Sequence, residues 1–158
     1  MMKKTDRIAV SANFYLDEFI PEEIWNQFRK KSIIFVRKEQ IMRAEGLRKI
    51  YGPVIINSWA FKKDGLNWCG YRTPKCSTGA EYSQHKMKSA EDYHFVAFNG
   101  KGKAAYDQVR EDILKNPVTF LDLGITSIEE GTWSWLHADD RMTTGIVSAG
   151  KIYVYPYR

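Results

Sequence analysis

At 158 residues, with 44% hydrophobic and 27% charged side chains, the chain has the composition of a folded globular protein and not of a disordered one. It is long enough to bury a core as a single domain, 1–158, and too short for a catalytic domain with a second full binding module. No stretch is apolar enough to span a membrane, so no membrane partner is expected, and the basic start Met1–Ile8 is not followed by an apolar run, so no secretory signal is expected. The net charge of +5 favours polyanions, but Lys and Arg are spread without a run of five, which reads as a solvated surface and disfavours nucleic acid.

Pro21 suits the start of a helix, with Glu22 and Glu23 at its positive end and Ile24, Trp25 and Phe28 as its apolar face. A second helix is expected from Lys38 to Tyr51, where Ile41, Ala44, Leu47 and Tyr51 recur at helical spacing and Gly52-Pro53 stops it. Val54 to Trp59 reads as a buried strand. Residues 60–84 carry Gly65, Gly70, Pro74 and Gly79 among polar residues and read as a long loop leading to His85. Cys69 and Cys76 flank the Arg72 segment; free thiols are the expectation, with a bridge across the loop as the alternative. Asp92, His94, Val96 and Phe98 alternate as a strand does. Gly100-Lys101-Gly102 turns into a third helix with Ala105, Val109 and Ile113 on one face, which Asn116-Pro117 ends. Ile125–Glu129, Trp133–Arg141 and Lys151–Tyr157 then read as strands, with Gly131-Thr132 as a hairpin turn. The sum is α+β, with helices packed against a mainly antiparallel sheet.

Two short segments carry the chemistry: Ser83-Gln84-His85 with Ala90-Glu91-Asp92, and Trp135-Leu136-His137-Ala138-Asp139. Two histidines and one carboxylate are a donor set suited to catalytic zinc, which takes three protein ligands and keeps a position open for water. On a helix His85 and Asp92 would lie roughly 10 Å apart along the axis at about 1.5 Å per residue, too far to share one ion. The segment between them must therefore fold back as a loop that delivers Asp92 from the start of a strand. Alternation puts Trp133, Trp135, His137, Asp139 and Arg141 on one face of the later strand.

Ser83-x-His85-x6-Asp92 followed by Trp135-x-His137-x-Asp139-x-Arg141 resembles the zinc D-alanyl-D-alanine carboxypeptidases and L-alanyl-D-glutamate endopeptidases of the hedgehog/DD-peptidase fold. Short phage and prophage members used as endolysins are the most similar. Asn13-Phe14-x-Leu16-x-Glu18-Phe19, Leu47-Arg48-x-x-Tyr51-Gly52, Ile56-Asn57-Ser58-Trp59 and Gly70-Tyr71-Arg72 extend the resemblance along most of the chain. It implies His85, Asp92 and His137 as zinc ligands, and Arg72 as the group that holds a peptide carboxylate or carbonyl. It also implies a metallopeptidase acting on the peptide of bacterial peptidoglycan. Such a protein would be monomeric, made in the cytoplasm and brought to the wall by phage-type release. Tyr71, Ser83 and Trp135 are the further candidates for the substrate groove, with Tyr82 beside them.

The sequence departs from the family pattern at two positions. Lys88 stands where many members have the glycine of the loop, and Ser134 stands where many have the Glu of Glu-x-x-His. The general base must then come from elsewhere: Glu129 first, since it shares strand parity with His137, then Glu130, then Asp139. Asp139 can instead orient His137 or pair with Arg141. His94 is expected to be a surface residue or a neighbour of the ligands. The alternative to an enzyme is a non-catalytic phage or prophage structural or wall-binding protein that retains the fold, and Lys88 and Ser134 are the features that favour it.

Overall fold

The computed structural model describes residues 2–141 and 149–157. Five strands, β1 (Val54–Ile55), β2 (Ala90–Phe95), β3 (Ser127–Glu130), β4 (Leu136–Asp139) and β5 (Tyr153–Pro156), form one sheet in the order β1-β2-β4-β3-β5. The α-helices are α1 (Glu22–Phe28), α2 (Lys38–Tyr51), α3 (Gly102–Lys115) and α4 (Pro117–Asp122). Three pairings are antiparallel, but β5 runs parallel to β3. The sheet is therefore mixed: mainly antiparallel, as expected, with one parallel pair at the β5 edge. Alternation identified β5 as a strand, but a period of two carries no strand direction.

The α2 boundaries are those the helical spacing predicts. The strands are shorter than the patterns suggested, because side chains and loops capture backbone groups that a longer ladder would use. Only Val54 and Ile55 pair as a strand; after them Asn57 N–H donates to the Glu18 carbonyl and Ser58 N–H to the Leu66 carbonyl. β2 stops at Phe95, where Val96 N–H turns to the Pro53 carbonyl and a 3-10 turn, Val96–Phe98, follows. Asn116-Pro117 does end α3, and Pro117 then opens α4, in keeping with proline's fit to a first helical turn.

The helices and the site occupy opposite faces of the sheet. Glu91, Tyr93 and Phe95 of β2 point one way, toward α2, while Asp92 and His94 point the other. The helix side holds the main apolar core, built from Phe14, Leu47, Tyr93, Phe95, Val109 and Ile113 among others. A second apolar cluster, with Leu16, Ile20, Ile24 and Trp25, includes Tyr71 and seats the loop that precedes the site.

A buried polar group lies within the helix side. Arg43 of α2 is fully buried and donates through Nη1 to the carbonyls of Ser89 (3.0 Å) and Ala138 (3.2 Å), tying the helix to β2 and β4. Its Nε faces Glu91 Oε2 at 3.7 Å, and Glu91 also accepts from Gln40 and from the Tyr93 hydroxyl. Removing one member of a buried ion pair leaves an uncompensated charge, at about 3–5 kcal/mol. Glu91→Leu is therefore expected to lower unfolding free energy by about that amount, and Arg43→Met/Glu91→Leu to recover at least half of it, as read by urea denaturation.

Candidate metal centre

Register builds the site. Asp92 lies directly opposite His137 in the antiparallel β2–β4 pair, so both side chains leave the same face within reach of one another. The third member, His85, arrives from the loop above. Gly70 makes this possible: its backbone passes so close to Phe19 that an added Cβ would sit 2.3 Å from the Phe19 carbonyl oxygen. Tyr71 N–H donates to that same carbonyl, which aims the Gly70 carbonyl at His85 Nδ1, 2.8 Å away.

The chain between His85 and Asp92 folds back as a loop, as the spacing required. Ser89 N–H and Met87 N–H both return to the Gln84 carbonyl, and Asp92 N–H donates to the Cys69 carbonyl at 2.7 Å. Lys88, the residue in the glycine position, adopts a left-handed φ of 60°. A left-handed conformation costs a residue with a Cβ roughly 1–2 kcal/mol. Lys88→Gly is therefore expected to keep or raise the melting temperature, whereas the stiffer Lys88→Val should lose about 1–2 kcal/mol.

Three donor atoms converge. His85 Nε2 is 3.1 Å from His137 Nδ1, His137 Nδ1 is 2.8 Å from Asp92 Oδ1, and His85 Nε2 is 3.3 Å from Asp92 Oδ1. N and O ligands about 2.0–2.2 Å from a tetrahedral ion stand about 3.3–3.6 Å apart, so a small outward movement opens this triangle to a metal's size. All three residues are buried, and together they can hold a metal ion. Each imidazole is also held by its other nitrogen, as ligating histidines usually are. His85 Nδ1 faces the Gly70 carbonyl and His137 Nε2 faces Asp139 Oδ2 at 3.3 Å.

The electrostatics fit the same arrangement. Burial alone would raise the Asp92 carboxyl, but His85 and His137 beside it hold it well below the usual range. Burial lowers His85, with the neighbouring Asp92 partly opposing. Burial would also lower His137, yet hydrogen bonds to Asp139 and Asp92 outweigh it and raise this residue to about 9. A metal must displace that proton, so affinity should rise with pH.

Asp139 is fully engaged. Besides His137 it accepts a bidentate pair from Arg141 and hydrogen bonds from Ser127 and the Tyr155 hydroxyl. The Asp139–Arg141 ion pair expected as one option is thus formed, and Asp139 has the orienting position and little freedom to act as a base. Glu129 shares the site face with His137 and lines the same cleft. Burial raises its carboxyl above the ordinary value, with His137 partly opposing. Arg110 of α3 fixes this corner by donating to the carbonyls of Glu129, Thr132 and Trp135. Glu130 is exposed and is not among the cleft residues.

The cleft has a volume of about 710 Å³. Arg72, Ser83 and Trp135 line it, as do Tyr82, Tyr155 and Tyr157. Arg72 is not a free substrate clamp: Nη2 donates to Asp92 Oδ2 at 2.8 Å and Nε to the Trp68 carbonyl at 2.6 Å. Tyr71 lies away from the cleft, buried and stacked on Phe35 with centroids 5.0 Å apart. It supports the loop and cannot touch a ligand in the cleft. His94 sits behind the ligands, its Nε2 3.6 Å from Cys69 Sγ; both cysteines are free thiols, and burial pushes Cys69 up to about 12.

Sequence reasoning missed that Arg72 braces Asp92, and that Tyr155 and Tyr157 complete the wall. The alternation Tyr153, Tyr155, Tyr157 carried the second signal, but only the pairing of β5 with β3 brings those rings beside Glu129. No protein-family model matches the chain, and neither does any curated protein or solved structure.

Groups that orient a metal ligand typically change affinity about 10–100-fold when removed. Arg72→Ala and Asp139→Asn are each expected to weaken metal binding by about that factor in calorimetric titration, without loss of the folded state.

Proposed function

We propose that the protein is a zinc-dependent peptidase that cleaves a bond in the peptide of bacterial peptidoglycan, of the D,D-carboxypeptidase or endopeptidase type. The convergence of His85 Nε2, Asp92 Oδ1 and His137 Nδ1 within 3.3 Å of one another, at the floor of an open cleft, is the observation that carries this reading. Two imidazoles and one carboxylate are the donor chemistry of hydrolytic zinc sites, and the order of the motifs along the chain resembles the zinc peptidases that act on the wall.

When bound, zinc supplies Lewis acidity toward a carbonyl and lowers the pKa of water. The chain's own residues supply the rest. Glu129 accepts a proton from water in the cleft; its half-buried position raises its basicity toward the working pH. Asp139 holds the His137 ring in place, and Arg141 and Tyr155 hold Asp139. Arg72 positions Asp92 through Nη2 and, lining the cleft, supplies the guanidinium for a substrate carboxylate or carbonyl. Trp135 and Tyr157, with ring centroids 5.8 Å apart, form an apolar wall for a peptide side chain.

The second reading is a non-catalytic phage or prophage structural or wall-binding protein with the same fold. The observation that favours it is Ser134, which is exposed and offers no base where a Glu would be expected.

Purified sacculi incubated with the zinc-loaded protein separate the two readings. The peptidase reading expects new muropeptides with shortened or uncrosslinked stems on chromatography. Glu129→Gln should lower turnover about 10²–10⁴-fold, the usual contribution of a general base, with zinc retained and Glu130→Gln near wild type. Binding to sacculi without any new product would establish the non-catalytic reading.

A further inference from the structure

Five of the chain's cations lie in two segments that the fold brings together. Residues 29–36 and 85–89 contain Arg29, Lys30, Lys31, Lys86 and Lys88 and no acidic residue, while the rest of the chain carries 19 basic and 19 acidic side chains. Those five cations therefore equal the whole net charge of +5. The two segments are about fifty residues apart in sequence, and the fold joins them. The Lys88 ammonium donates to the Ile34 carbonyl at 3.3 Å and sits 5.0 Å from the Phe35 ring centre. Among the described residues none of the five forms an ion pair; the nearby Arg37 is paired with Glu39 and Asp140 and is not part of the patch.

Large aliphatic side chains of the same two segments are open to solvent. Ile33 is 45% exposed, Ile34 64% and Met87 55%. The 3-10 helix Arg29–Phe35 thus places three cations in its first turn and two adjacent isoleucines, open to solvent, in its last. Beneath it the helix is anchored: Phe35 packs against Phe28 and stacks on Tyr71. The patch is therefore a supported surface and not a loose loop.

We propose that this face docks on an anionic lipid bilayer, with Arg29, Lys30, Lys31, Lys86 and Lys88 against the headgroup phosphates and Ile33, Ile34 and Met87 entering the interfacial layer. A surface serving a soluble polyanion needs the cations alone. Exposed aliphatic residues interleaved with unpaired cations match an interface that offers negative charge outside and hydrocarbon just beneath. No helix of the described residues is long and apolar enough to cross a membrane, so the contact is peripheral. None of these residues lines the cleft, so the proposal stands whether or not the protein is a peptidase. Because Lys86 directly follows His85, docking would hold the candidate metal centre close to the lipid surface.

The test is co-sedimentation of the full chain with vesicles of equal parts phosphatidylglycerol and phosphatidylcholine, and with phosphatidylcholine alone, in about 0.1 M salt, where charges act over about 10 Å. The wild type is expected to pellet with the anionic vesicles only. Lys30→Glu/Lys31→Glu should reduce partitioning at least tenfold and Ile33→Ser/Ile34→Ser at least threefold. Both pairs are exposed, so their circular dichroism should match the wild type, and their muropeptide yield from sacculi should match it too. Absence of wild-type binding to anionic vesicles would overturn the proposal. So would binding that the isoleucine variant leaves unchanged and that soluble polyphosphate abolishes, since the face would then serve a soluble polyanion.

Discussion

The pairing of Asp92 with His137 across β2 and β4 is the constraint on which the rest of the site depends. Because side chains alternate along a strand, a slip of one residue in this register would send one of the two to the helix side of the sheet. The register is held from that side. Tyr93, Phe95, Leu136 and Ala138 are buried in the core, and Arg43 grips the carbonyls of Ser89 and Ala138, one beside each strand. The charged network under the sheet and the donor cluster above it are thus two faces of one ladder.

The loop elements answer a different problem, which is to bring a third donor over an already formed pair. Gly70 is pressed against Phe19 and offers its carbonyl to His85, while Lys88 takes a strained left-handed turn so that the chain can re-enter β2. Strain of this kind persists where the surroundings over-determine the backbone. Here the surroundings are the Lys88 contact with Ile34 and the hydrogen bonds that return to Gln84.

Much of this was legible in the sequence, for reasons that differ by element. The α2 helix shows a full helical period bounded by Gly52-Pro53. The spacing of His85 and Asp92 excludes a helix and demands a loop. Strand parity placed Glu129 with His137, and the Ser127–Asp139 register agrees with that parity. What the sequence hid were the long-range partners. Arg72 read as a substrate clamp alone because nothing local shows that its guanidinium also reaches Asp92, twenty residues on. Tyr71 looked like a groove residue because a turn does not reveal which of its side chains faces inward. The parallel course of β5 was hidden because periodicity has no direction. The basic face went unseen because its halves are separate in sequence, and a run-based reading of charge counts neighbours along the chain only.

The most direct test of the central claim is zinc K-edge absorption spectroscopy on the purified protein, with elemental analysis of the same samples. Convergence of His85, Asp92 and His137 predicts about one zinc per chain, with two imidazole nitrogens and oxygen ligands at about 2.0–2.2 Å, and loss of the ion in His137→Ala. Zinc bound through sulfur at about 2.3 Å, or a wild-type protein that retains no zinc after exposure to it, would contradict the account.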